Sequence, residues 1–118
     1  MSSLNTFGAI LTYAIALESR LRDYYTAAGN PERAAAAESR CTKLERVRRQ
    51  NVVEITLEPI EGLDEANYAL NLEDTSPEGQ RAAAQIAARF YQDCAPKINA
   101  KEAQRALERC GRDHQEQV

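Results

Sequence analysis

Four charged side chains carry most of the chemistry open to this sequence: Glu18, Glu45, Arg48 and Glu108. Apolar residues recur at the spacing of a buried helical seam, at Leu4, Phe7, Leu11, Ala14, Leu21, Tyr25 and Ala28. Glu18 takes the seam position between Ala14 and Leu21. A carboxylate on a core-facing stripe must be paired, hydrogen-bonded or metal-bound, because an isolated buried charge is strongly unfavourable. Glu45 and Arg48 fall at or beside the apolar face of a second helical stretch, and Glu108 falls on a fourth. If the four converge they could hold a cation or do acid–base chemistry. The reading preferred here is an ion-pair network in which the Arg48 guanidinium neutralises the carboxylates, with no catalytic residue assigned.

His114 is the only histidine, and Cys110 precedes it by four residues. Two donors on one helix make half a metal site, so His114 reads as a residue of the fraying bundle end. Cys41, Cys94 and Cys110 are odd in number and lack framework spacing. They read as reduced thiols that fill gaps between helices in a cytoplasmic protein. Tyr13, Tyr24, Tyr25, Tyr68 and Tyr91 read as core fillers whose hydroxyls bond at its margin. Phosphate-cradling glycine loops, paired-cysteine zinc motifs and Ser/His/Asp arrangements are absent, which leaves ordinary hydrolytic catalysis without a base.

The elements that must position these residues are helices. Helix 1 is expected over about 4–28, capped by Ser3 and stopped by "GNP" at 29–31. Asn30 and Pro31 then open helix 2, to about residue 57, with Ala34, Ala37, Cys41, Leu44, Arg48, Val52 and Ile55 inward. So short a turn makes a helical hairpin. Ser76 and Pro77 open helix 3, to Cys94, with Ala83, Ile86, Ala87, Phe90 and Cys94 inward. Asn99 and Glu102 resemble a capping box for helix 4 over 100–114, with Ala103, Leu107, Cys110 and His114 on one stripe. Between the hairpins, 58–76 is an acidic crossover. Residues 56–80 hold seven carboxylates and no Lys or Arg, against a net charge of −3 for all 118 residues. A crossover lying over basic faces of helices 2 and 4 would account for that segregation. The expected fold is therefore one all-α domain, 1–118: an antiparallel four-helix bundle of two hairpins joined by one long crossover.

The halves also resemble one another. With Tyr24-Tyr25 matched to Phe90-Tyr91, Leu44-Glu45-Arg46 falls on Leu107-Glu108-Arg109. Two hairpins, a repeat, a long crossover and an inward glutamate shortly before an aromatic pair together resemble the ferritin-like superfamily, and within it the rubrerythrin-type domain. That family draws a Glu from the first helix of each half and Glu-x-x-His from the second, around two iron or manganese ions. The resemblance implies that Glu18, Glu45 and Glu108 are retained ligands. Arg48 and Gly111 would then stand in the histidine positions, and Ala84 in that of the second first-helix Glu. A degenerate di-metal site follows, with no metal expected, and Glu18, Glu45 and Glu108 as the ligands if one is bound.

The function implied is a non-catalytic protein-binding or assembly module, as a homodimer or with a protein partner. The alternative is a rubrerythrin-like or ferroxidase-like oxidoreductase using iron or manganese at a carboxylate-rich site. Nucleic acid is not expected as a partner. Arg33, Arg40, Lys43, Arg46, Arg48 and Arg49 are interleaved with Glu32, Glu38, Glu45 and Glu54, which reads as a solvated, pair-laced face. No membrane association is expected, since no segment approaches 18 uncharged apolar residues.

Overall fold

Capping chemistry sets the helix boundaries. In the computed structural model, which describes residues 6–50, 63, 65–98 and 100–117, α1 spans Phe7–Ala27 and α2 Pro31–Gln50. Thr6 caps α1, its hydroxyl accepting from the Ala9 amide at 3.0 Å. Ser3 lies outside the described residues. Gly29, at φ 75°, ends α1. The Asn30 amide donates to the Tyr25 carbonyl at 2.9 Å and the Gly29 amide to that of Thr26 at 3.1 Å, a Schellman closure that needs the left-handed residue. Asn30 then caps α2, accepting from the Arg33 amide at 3.2 Å, and Pro31 takes the first helical position. The expected continuation of helix 2 over 51–57 lies outside the described residues.

Helix α3 spans Pro77–Cys94, with Ser76 accepting from the Gly79 amide and Pro77 at its start. A 3₁₀ turn, Ala95–Lys97, leads to α4, Lys101–Gln115. Ala100 occupies the cap position of α4 with no side-chain cap bond; Asn99 lies outside the described residues. A further 3₁₀ turn spans Glu65–Tyr68. The described residues form four α-helices and no strand, and none of the helices is long and apolar enough to cross a membrane.

Helix α1 packs chiefly on α2, and α3 on α4. Lesser contacts join α2 to α4 and α1 to α3. Asn30 donates to Gln80 at 3.1 Å and Arg33 to the Gln117 carbonyl at 3.5 Å, so the first turn, the start of α3 and the end of α4 meet. The radius of gyration, 13.7 Å, is that of a compact chain of this length. Ala37, Ala84, Ala87, Ala88 and Ala103 are buried and let the helices approach closely. The room left goes to large side chains that cross the interior, above all Tyr25, Phe90 and Tyr91. Leu72 is the one large apolar side chain exposed among the described residues.

Residues 58–62 and 64 of the expected crossover lie outside the described residues, and the described part does not lie over α2 and α4. It is pinned to α1 and α3. The Tyr24 hydroxyl donates to the Asp74 carbonyl at 2.5 Å, the Tyr68 hydroxyl to Asp93 at 2.6 Å, and the Tyr68 ring meets Phe90 edge-on at 5.3 Å. Buried Tyr68 supplies the apolar anchor on α3, and Leu63 is also buried in the core.

Candidate functional site

Glu18 is fully buried on α1 and bonded through both oxygens. Oε1 accepts from Arg40 Nε of α2 at 2.8 Å. Oε2 accepts from the Tyr91 hydroxyl of α3 at 2.5 Å and meets His114 Nε2 of α4 at 2.8 Å. Each helix thus contributes one side chain to a single buried cluster. Burial opposes the charge of Glu18. The hydrogen bond from His114, the Arg40 charge and the Tyr91 hydroxyl outweigh it and hold the carboxyl below its ordinary 4.5. An ionised carboxylate only accepts, so His114 carries its proton on Nε2. Burial, and then the Glu18 charge, push the Tyr91 hydroxyl well up, which keeps it a neutral donor.

The surroundings fix the geometry. The Tyr91 and His114 rings stack, 9° apart in plane with centroids 5.7 Å apart. Gly111 lies one turn before His114, and a Cβ there would stand 3.0 Å from Tyr91 Cβ. The glycine therefore gives Tyr91 its passage over α4 to Glu18. Arg40 also approaches Asp113 at 3.8 Å, at the rim. Arg40 Nη2, His114 Nδ1 and the Tyr25 hydroxyl are buried and make no hydrogen bond among the described residues.

The sequence-derived cluster survives only at Glu18. Glu45 is half-buried and accepts from the Cys41 thiol at 3.5 Å. Arg48 is exposed and donates to Thr12 at 3.4 Å. Glu108 is exposed. None of the three reaches Glu18. On α2 the stripe facing the centre is Ala37, Arg40, Leu44 and Val47; Cys41 and Arg48, seven apart, form the adjoining stripe at the margin with α1. The arginine expected at the centre is there, but it is Arg40.

His114 is the other correction. It is fully buried rather than part of a fraying end, because α4 continues to Gln115 and the stripe through Leu107 and Cys110 carries it inward. Of the pair-laced face expected of α2, the described residues form only cross-helix pairs, and Glu54 lies outside the described residues. Glu38 pairs with Arg22 of α1 at 2.6 Å, while Lys43, Arg46 and Arg49 make no ion pair among the described residues. All three cysteines are buried free thiols, as their packing role requires. Burial pushes Cys41 up to about 11 and Cys94 and Cys110 up to about 12.

A di-metal ion pair does not fit the donors at this centre. Both Glu18 oxygens are committed to other partners, and a guanidinium lies against one of them. No group of three or more His, Cys, Asp or Glu side chains converges among the described residues. What the cluster can do is hold four helices in one register through charged hydrogen bonds. No family model matches the chain, and no curated protein or solved structure matches it either.

Proposed function

We propose that this chain is a ferritin-like bundle without a metal centre, working as a non-catalytic binding or assembly module. The observation that carries this reading is the Glu18–Arg40–His114–Tyr91 cluster. A carboxylate sits where the resemblance puts a metal ligand, and its charge is met by an arginine instead.

Connectivity supports the family reading. Contact between the first turn, the start of α3 and the end of α4 fits neighbouring helices of opposite direction. It also fits a connection from α2 to α3 that returns along the bundle. The repeat is supported by burial: Leu21 and Ala87, Tyr25 and Tyr91, and Leu44 and Leu107 are matched pairs with no exposed surface. Tyr91 bonds Glu18, whereas the hydroxyl of its counterpart Tyr25 makes no hydrogen bond among the described residues, and the counterpart of Glu18 is Ala84. That asymmetry fits a two-fold site that kept one carboxylate and lost the other. Glu45 and Glu108 give this reading no support as ligands.

Elemental analysis of protein purified with iron and manganese present tests it. The expected result is no stoichiometric metal. Bound metal that disappears in Glu18→Ala would overturn the proposal. The assembly state is tested by sedimentation. Leu72 is the one large apolar side chain exposed among the described residues, so association through the described charged surface would be salt-sensitive.

A further inference from the structure

Between α2 and α4, on the side away from the described acidic segment, runs a groove of about 590 Å³. That is the size of a small-molecule site. The apolar lining of its floor includes Val47 and Ala106, with fully buried Leu44 beneath them. Lys43 and Arg46 line it from α2, and Lys101, Arg105 and Arg109 from α4; the buried Arg40 also lines it. Two carboxylates, Glu102 and Asp113, accompany these six cations.

None of the five exposed cations makes an ion pair within 4.0 Å among the described residues. Lys101, Arg105 and Arg109 recur at four-residue steps, so they share one face over about 12 Å and repel one another. Lys101 stands in the first turn of α4, where the helix dipole disfavours a cation. The buried Arg40 adds a guanidinium whose Nη2 has no hydrogen-bond partner among the described residues.

We infer that this groove binds a small organic polyphosphate, with its phosphates along the α4 cations and its apolar or aromatic body on the floor. Arginine forks and lysine point charges together are the recognition set for phosphate oxygens. With the Arg40 charge met by Glu18, the five exposed cations exceed the two carboxylates by three, which suits the compact charge of such a ligand. Carboxylates would have to be spread along the groove to supply as much. The inference goes beyond the reading of the bundle centre and holds whether or not the family resemblance does.

Calorimetric titration of the full chain with ATP, and separately with inorganic tripolyphosphate, tests it. Both should bind saturably and more weakly as salt rises, ATP the tighter because its base and sugar cover the floor. The double variant Arg105→Gln/Arg109→Gln should weaken binding by about tenfold or more. Arg20→Gln, on the exposed face of α1, should leave it unchanged. All three positions are exposed, and thermal melting verifies that each variant folds. The inference is overturned by the absence of saturable binding of either probe at millimolar concentration, or by unchanged affinity in the double variant. Tighter binding of a single-stranded RNA oligonucleotide than of ATP would also overturn it and assign the face to nucleic acid.

Discussion

The bundle centre and the α2–α4 groove treat the same kind of charge in opposite ways. At the centre, a carboxylate with no exposed surface is met by a guanidinium, a phenol and an imidazole, one from each of the other helices. In the groove, five cations stand with no carboxylate partner among the described residues. Burial explains the difference. Out of water a charge must be paired or the fold fails, whereas solvent and salt screen an exposed cation and leave it free. The cost of an unmatched charge is therefore concentrated at the centre, while the groove leaves its charges open to a ligand. Arg40 belongs to both, bonding Glu18 through Nε while lining the groove.

The largest effect should come from unpairing the centre. Glu18→Gln leaves Arg40 buried without its counter-charge and should lose about 3–5 kcal/mol in urea denaturation. Glu18→Leu combined with Arg40→Met removes both charges and should recover most of that loss. If the double variant is no better than the single, charge pairing is not what the centre supplies. The same carboxyl sets the acid response. Its folded value lies below the ordinary 4.5, so its contribution is complete above that value and is lost as pH falls through the folded one. Between neutral pH and about pH 3 the urea midpoint should fall further in the wild type than in Glu18→Gln.

A smaller loss, about 1.5–3 kcal/mol, is expected for Tyr91→Phe, which removes one hydrogen bond to a charged group while the ring stays stacked on His114. The smallest effect sharpens the contrast from the other side. Arg105→Gln relieves repulsion along α4 and should leave stability unchanged or raise it by about 0.2–0.5 kcal/mol, read as the thermal midpoint. A clear loss there would mean that the groove cations hold the fold as well.

Local signals marked the helices well. Asn30-Pro31 and Ser76-Pro77 cap and open α2 and α3 where expected, and the α1 seam puts Glu18 inward. The partner of Glu18 was harder to read. On α2 the inward stripe is marked by Ala37 and Leu44, and an alanine-rich helix says little about which of two neighbouring stripes faces the centre. Arg40, seven residues before buried Val47 and four before Leu44, carried the better signal. His114 already lay on the right stripe, but its bond to Glu18 spans 96 residues and no local pattern encodes it. Gly111 looked like a missing donor; its meaning is steric and needed the position of Tyr91.

The three buried thiols sit on three different helices, Cys41 on α2, Cys94 on α3 and Cys110 on α4. With their ionisation pushed to about 11 or 12, the native protein holds almost no thiolate at neutral pH. An alkylating reagent should therefore modify each cysteine only when its helix opens. The chain carries three separate clocks, and their labelling rates would show whether the α1–α2 pair and the α3–α4 pair part from one another before either one unravels.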